Sequence, residues 1–222
     1  HVYYLLLKGK TFLGECAQSE MLDVDSPYYP YGSSSSTTTI GIWNGIGISP
    51  KPEFIGEVIG VAKAYVTRVG NGPFITEVTG EVADNIRTRG NEYGTTTGRE
   101  RKIGWLDIPM VKQAVIPSGI TGLAITKLDI LGGMGEVSIA LHYEGGDKIP
   151  CEGYIHKKPI YTSMEIWPAF DENRYRKEFE NGIARISNVP LRRYLETIQD
   201  EVGVPIKMVT FGQDSKAFIS YV

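Results

Sequence analysis

Apolar and polar residues alternate in some segments of this chain, and such alternation predicts strands. The clearest case runs from Glu136 to Tyr143, where Val137, Ile139 and Leu141 alternate with polar or small residues. Shorter apolar segments predict further strands at 2–7, 12–13, 123–126, 206–211 and 217–221. Strands therefore occur along the whole chain rather than in one part of it.

Helical spacing of apolar residues predicts the longest helix after Asn188. Asn188 is a good N-cap, Pro190 is tolerated in a first turn, and Gly203 is suited to the C-terminal cap. The stripe predicted to face the core consists of Leu191, Tyr194, Leu195, Ile198 and Val202. Further helices are predicted at 52–62, at 81–89 before Gly90, and at 107–114. The fold class predicted is α/β, with a mixed sheet flanked by helices.

Two long segments lack a regular pattern. Residues 19–50 are rich in Ser, Thr, Gly and Pro, and a loop of that length within a domain is usually functional or disordered. We interpret it as a binding loop. Residues 144–180 are rich in turn-forming, charged and aromatic residues, which predicts a surface excursion.

Composition excludes several classes of protein. The 222 residues carry a net charge of −3, so neither a nucleic-acid-binding surface nor a basic membrane patch is indicated. No apolar run approaches the roughly 20 residues that a membrane helix needs. Two cysteines and three histidines form no disulfide framework or metal motif, which favours a reduced, cytoplasmic protein. Because the chain begins at His1 without a methionine, we expect a fragment, a processed chain or a shortened form.

The segment from Gly90 to Asp107 carries the most chemistry. It places three threonine hydroxyls between Gly94 and Gly98, directly before Arg99 and Arg101. Hydroxyls, exposed backbone N–H groups and guanidinium forks are the donors that bind carboxylates and phosphates. The alternative interpretation is a solvated, glycine-rich turn with surface charge.

A second candidate site follows the strand predicted at 123–126. A single carboxylate, here Asp129, can accept both N–H donors on one edge of guanine, whereas adenine offers no such pair. Two residues earlier, Lys127 can lay its methylene stem along the plane of the base. The alternative is a surface ion pair at the end of a strand.

Seven blocks of the chain resemble the adenylosuccinate synthetase family, and they occur in that family's order. They are 15–31, the Ser/Thr run 33–38, 63–70, 72–77, the loop 90–107, 126–131 and 203–206. The resemblance covers the C-terminal half of the family's chain, without the N-terminal half that holds its phosphate loop. It implies part of a P-loop-like, GTP-dependent ligase fold, with residues 1–222 as its C-terminal portion.

The resemblance also implies roles for individual residues. Those implied to bind the purine nucleotide substrate are Gln18, Ser33, Val69 and Arg99. Those implied to bind aspartate are Thr95, Thr96, Thr97, Gly98, Arg99, Glu100 and Arg101. Those implied to bind GTP are Arg101, Lys127, Leu128, Asp129, Thr210, Phe211 and Gly212. No catalytic residue or Mg²⁺ ligand is expected among these 222 residues, because the family places them in its N-terminal half.

The implied activity is the GTP-dependent ligation of L-aspartate to inosine monophosphate, through a 6-phosphoryl intermediate, to give adenylosuccinate. The resemblance further implies Mg²⁺ as cofactor and a homodimer, and we expect the 222 residues alone to be inactive. Two alternatives stay open. One is a phage-type ligase of aspartate and deoxyguanylate, and the other is a truncated, non-catalytic nucleotide-binding or dimerisation module.

The chain departs from the family's pattern at several places, among them Ser33, which stands at a threonine position, and Thr210, which stands at a serine position. Ser19 and Glu20 stand where the family has Gly-Thr, and Gln213 follows Gly212 where the family has proline. Glu100 occupies a position at which many relatives hold a basic residue. The positive charge of the 94–101 loop is therefore expected to be weaker than in those relatives.

Overall fold

A computed structural model describes residues 1–26, 28–94, 98–147, 156–169, 172–212 and 218–220. Its strands are β1 (Ile59–Lys63), β2 (Tyr65–Arg68), β3 (Glu77–Val78), β4 (Lys102–Asp107), β5 (Gly122–Thr126), β6 (Ser138–Tyr143), β7 (Pro159–Ser163), β8 (Ile206–Thr210) and β9 (Phe218–Ser220). Its α-helices are α1 (Val2–Leu7), α2 (Thr39–Ile46), α3 (Glu81–Gly90), α4 (Ile108–Ser118), α5 (Leu128–Leu131), α6 (Glu172–Phe179) and α7 (Val189–Val202). Short 3-10 turns lie at Glu20–Leu22, Pro52–Phe54 and Ile183–Arg185.

The strands form two sheets within the described residues. The first has the order β1-β5-β8-β9, with β1, β5 and β8 parallel and β9 antiparallel. In the second, β4 lies between antiparallel β2 and parallel β6; β7 follows β6, and β3 also pairs with β4. The prediction of a mixed α/β fold with flanking helices is confirmed.

The chain passes from one sheet to the other at a single residue, Ala64. Ala64 is fully buried, its N–H donates to the carbonyl oxygen of Thr126, and its own carbonyl oxygen accepts from the hydroxyl of Tyr194. Helix α7 supplies Tyr194 and the other four residues of the predicted apolar stripe, all of them buried. Its predicted caps are also confirmed, because Asn188 accepts from the N–H of Leu191 and Gly203 adopts a left-handed conformation.

Two element predictions near the N-terminus are wrong. Residues 2–7 form helix α1 rather than a strand, and residues 12–13 lie in no strand. The helix predicted at 52–62 is replaced by the turn at Pro52–Phe54 and by β1, which pairs in parallel with β5. Gly56 and Gly60 disfavour a helix there, whereas the β-branched residues between and after them suit a strand.

The segments without a pattern contain more structure than predicted. Helix α2 lies within the binding loop predicted at 19–50. The surface excursion predicted at 144–180 is corrected in two places. Strand β7 pairs with β6, and Trp167, Tyr175 and Phe179 are buried in the core. These three aromatic residues are not on the surface, because burying them in the core anchors the segment.

None of the helices in the described residues has the length and apolar character needed to cross a membrane.

Candidate functional site

The predicted anion-binding loop closes as a hairpin after helix α3. Tyr93 and Glu100 form an isolated antiparallel bridge, and the N–H of Gly94 donates to the carbonyl oxygen of Arg99 at 2.8 Å. Gly98 has a φ of 63° and donates to the carbonyl oxygen of Gly94, so this turn uses a backbone conformation that favours glycine. The three threonines at 95–97 lie outside the described residues. Glu100 is largely exposed, and its Oε2 lies 3.7 Å from Nε of Arg87.

Arg101 is held at three points. Its N–H donates to the carbonyl oxygen of Glu92 at 3.0 Å, and its carbonyl oxygen accepts from Nε of Arg87 at 3.1 Å. Its Nη1 donates to Oε2 of Glu92 at 3.0 Å. Nε of Arg101 is buried and has no hydrogen-bond partner among the described residues. A buried donor of this kind is costly unless a ligand or water satisfies it.

Glu92 is the buried carboxylate on which these contacts converge, with only 1% of its surface exposed. Besides Arg101 it accepts from Nζ of Lys63 at 2.7 and 2.8 Å and from the hydroxyl of Tyr65 at 2.7 Å. Burial raises the pKa of Glu92, but the bonds from Lys63 and Tyr65 outweigh that effect and lower the pKa below its ordinary value. Burial also lowers the pKa of Lys63, against the influence of Glu92.

The predicted guanine-reading residues lie where β5 ends. Lys127 adopts a left-handed conformation with a φ of 65° and donates from Nζ to the carbonyl oxygen of Gly90 at 2.7 Å. Leu128 is fully buried, so its side chain belongs to the core, and its carbonyl oxygen accepts from the indole N–H of Trp167 at 3.4 Å. Oδ1 of Asp129 is buried and lacks a hydrogen-bond partner in the described part of the chain.

Parallel pairing brings the 210–212 segment beside these residues. Ile125 of β5 pairs with Val209 of β8, so both strands end at the same edge of the first sheet. Phe211 is buried and stacks on Phe179 with 6.2 Å between ring centroids. Thr210 is half-buried and Gly212 is exposed, whereas Gln213 lies outside the described residues.

A second carboxylate organises the loop that contains Ser33. Asp23 accepts from the side chain of Ser36 and from the N–H groups of residues 25, 37 and 38, at distances of 2.6 to 3.2 Å. Burial raises the pKa of Asp23, but these bonds together lower it below its ordinary value. The hydroxyl of Ser33 donates to the carbonyl oxygen of Ser35 at 3.1 Å and also accepts from the N–H of Ser35. Ser33 therefore helps to close its own turn.

Glu20, which departs from the family's pattern, is also held within the protein. Its carboxylate accepts a hydrogen bond from the hydroxyl of Ser118, at the end of α4. Burial raises the pKa of Glu20, and this is opposed by the bond from Ser118. The added carboxylate therefore ties the loop to α4. Gln18 is exposed, has a φ of 71°, and its side chain makes no hydrogen bond within the described residues.

Contacts link several of the segments that carry predicted site residues. Lys63 donates to the hydroxyl of Thr67 at 2.9 Å, two residues before the half-exposed Val69. Arg68 donates to the carbonyl oxygen of Tyr31, two residues before Ser33. The structure thus connects the segments of Ser33, Val69, Arg101 and Lys127.

Sequence reasoning did not single out Glu92, Lys63, Tyr65 or Asp23. All four lie in segments that resemble the family, but nothing in their spacing indicated that Lys63, Tyr65 and Glu92 meet. The described ranges contain no group of three or more His, Cys, Asp or Glu side chains that could hold a metal ion.

The fold and this arrangement are those of an α/β protein with a candidate ligand site at the carboxyl ends of its parallel strands. The chain belongs to the adenylosuccinate synthetase family, whose family model matches residues 2–219. It is 41% identical to the adenylosuccinate synthetase of Halothermothrix orenii over 96% of this chain and 49% of that protein. With the enzyme of Thermodesulfovibrio yellowstonii the identity is 42%, over 92% of this chain and 48% of that one. The chain thus spans about half the length of the curated relatives it matches.

Two solved structures are similar to the chain, one of them an adenylosuccinate synthetase. The fully ligated adenylosuccinate synthetase of Plasmodium falciparum superposes with a TM-score of 0.87 and 33% identity, over 100% of this chain and 52% of that one. The succinoaminodeoxyadenylate synthetase of cyanophage S-2L has a TM-score of 0.55 and 16% identity, over 93% of this chain and 45% of its own. The second likeness shows the fold alone.

Proposed function

We propose that this chain binds guanine nucleotide, L-aspartate and inosine monophosphate within a ligase that produces adenylosuccinate. In the proposed reaction GTP phosphorylates O6 of inosine monophosphate, and the amino group of aspartate then displaces that phosphate. The residues of this chain bind and orient the reactants. Because phosphoryl transfer is catalysed mainly by positioning and charge stabilisation, this chain is proposed to contribute positioning, and the charge stabilisation of the phosphoryl group is expected from the N-terminal half of the family's chain.

The observation that carries the proposal is the buried, unsatisfied Oδ1 of Asp129. An acceptor in this state is costly, and two N–H donors from a guanine edge would satisfy the carboxylate. Lys127 lies two residues before Asp129 with its ammonium held on Gly90, and its methylene stem is proposed to pack on the base. Thr210, Phe211 and Gly212 border the same edge of the sheet and are proposed to contact the base through their backbone.

The remaining ligands are assigned by the same combination of geometry and family membership. Aspartate is proposed to bind the loop 95–101, with its carboxylates on Arg99 and Arg101 and on the threonine hydroxyls. The nucleotide substrate is proposed to contact Gln18, Ser33, Val69 and Arg99.

Mg²⁺ is proposed as cofactor, with ligands outside the residues described here. A homodimer in the cytoplasm is proposed as the working form, and light scattering would test the dimer.

The base specificity of the Asp129 site is the sharpest test. We expect Asp129→Asn, in a protein containing this chain, to weaken GTP binding at least tenfold and to improve the binding of xanthosine triphosphate. The asparagine amide would donate to the 2-carbonyl of xanthine, whereas aspartate repels it. The control is Asp200→Asn, which neutralises an exposed carboxylate on α7 and should leave both affinities unchanged. Equal losses for both nucleotides would contradict the assignment.

The substrate is tested by comparing inosine monophosphate with deoxyguanylate in one phosphate-release assay, carried out with a longer protein that contains this chain and the N-terminal half of the family. Release that depends on GTP, aspartate and inosine monophosphate supports the proposal. Dependence on deoxyguanylate instead would favour the phage-type ligase. GTP binding without turnover on either nucleotide would favour the non-catalytic module.

A further inference from the structure

Glu92 has the geometry of a residue that sets the position of others. Its side chain is 2% exposed, and its two oxygens accept four hydrogen bonds from Lys63, Tyr65 and Arg101 at 2.7 to 3.0 Å. A buried carboxylate with this many donors is fixed in one orientation, and it fixes its partners in turn. It does not itself occupy any of the positions implied to bind a ligand.

The main chain around Glu92 reinforces this role. Its carbonyl oxygen accepts from the N–H of Arg101, and Gly90, two residues earlier, accepts from Lys127. The segment 90–92 therefore touches both the proposed aspartate loop and the proposed guanine site. Arg101 and Lys127 lie in different parts of the chain. Because both bond to segment 90–92, this segment sets the distance between the two side chains.

The charges favour the same conclusion. Three cations, Lys63, Arg101 and Lys127, lie around one buried carboxylate. Without Glu92, Lys63 and Arg101 would repel each other at short range and turn toward solvent. With it, they stay in place and the cluster keeps a positive charge that attracts anionic ligands.

We infer that Glu92 is a positioning residue that fixes Arg101 for aspartate and couples the aspartate loop to the guanine site. This inference rests on the proposed function. Ser33, one of the residues proposed to contact the purine nucleotide substrate, lies instead in the turn organised by Asp23. Loss of the Glu92 charge should therefore act more strongly on aspartate than on the nucleotide, and loss of the Asp23 charge should act more strongly on the nucleotide.

The experiment compares Glu92→Gln with Asp23→Asn in a protein containing this chain. Glu92→Gln keeps the shape of the side chain but removes its charge. We expect it to raise the KM for aspartate at least tenfold, with a change of less than threefold in the KM for inosine monophosphate. Asp23→Asn should show the reverse pattern. A purely structural role would instead move all KM values together, and that result would overturn the inference.

Hydrogen exchange at the Arg101 amide gives a readout that does not need catalysis. Exchange should accelerate at least tenfold in Glu92→Gln, whereas native exchange would overturn the positioning role. A wild-type protein without ligase activity would contradict the proposed function. The exchange measurement would still show whether Glu92 positions Arg101. Should Glu92→Gln fail to fold, Tyr65→Phe removes one of the four bonds and keeps the carboxylate. Tyr65→Phe should accelerate exchange of the Arg101 amide, but by less than Glu92→Gln. Unchanged exchange in Tyr65→Phe would count against the inference.

Discussion

The ammonium group of Lys127 donates a hydrogen bond of 2.7 Å to the carbonyl oxygen of Gly90. This contact joins the turn after β5 to the last residue of α3, which precedes the anion-binding loop. Gly90 also lies against Tyr65, since a Cβ at this position would be 2.3 Å from the Tyr65 hydroxyl oxygen. A side chain here would therefore disturb the hydroxyl that bonds to Glu92.

Gly90→Ala is expected to destabilise the protein by about 1–3 kcal/mol, the usual effect of adding a methyl group to a tightly packed site. Urea unfolding of the 222-residue chain would measure the change. Gly45→Ala is the matched control, because Gly45 lies in α2 and nothing would come within 4 Å of the added Cβ. The control should be neutral or stabilising by up to about 1 kcal/mol. Equal effects at the two positions would refute the packing argument.

The stability of the chain should depend on pH through Asp107. Burial, opposed by hydrogen bonds from Tyr143 and Met110, raises the pKa of Asp107 to about 6. Its Oδ2 is buried and has no hydrogen-bond partner in the described residues. Because the ordinary pKa is about 4, the folded state binds more protons than the unfolded state between about pH 4 and 6. The unfolding free energy should therefore fall by roughly 3 kcal/mol as pH rises through this window, and Asp107 should add no change above it.

Asp107→Asn should remove that dependence, because the amide has no charged form to desolvate. Its oxygen can still accept from Tyr143 and from the N–H of Met110. Unfolding free energies measured at several pH values would show a flatter profile for Asp107→Asn. Asp200→Asn, on an exposed position of α7, should keep the wild-type slope. An unchanged slope in Asp107→Asn would assign the dependence to other groups.

Trp167 should anchor the segment that follows β7. It is fully buried, and its ring centroid lies 5.0 Å from that of Tyr194. Its indole N–H donates to the carbonyl oxygen of Leu128. Trp167→Ala is expected to cost about 3–5 kcal/mol of unfolding free energy. Ile116→Ala, at a side chain that is 82% exposed, should change it by less than about 0.5 kcal/mol. A cost below about 1 kcal/mol for Trp167→Ala would show that the segment packs elsewhere.

Elements were predicted correctly where residues close in sequence specify them, and were missed where a distant part of the chain decides them. Helix α7 was predicted because Asn188, Gly203 and the apolar stripe between them specify a helix within one short segment. Strand β1 was missed because its state is decided by pairing with β5, which lies far along the chain. Residues 2–7 gave an apolar run too short to distinguish a strand from a helix by its pattern.

The residues of the candidate site were likewise predicted where they lie close in sequence and missed where only the fold brings them together. Lys127 and Asp129 were found together because the chemistry they suggest needs two residues close in sequence. Glu92 was missed because a buried carboxylate is recognised by its partners, and those partners come from β1, β2 and the loop that ends at Arg101. Its own neighbours in sequence show only a glutamate in a polar segment.

The passage of the chain between the sheets at Ala64 has a consequence for how the protein unfolds. Lys63 ends β1 and Tyr65 begins β2, so the first and second sheets are anchored to the same carboxylate of Glu92 by adjacent residues. Separating the sheets would expose Ala64 and break both anchors at once. The two sheets should therefore melt in one cooperative transition, as a single folding unit.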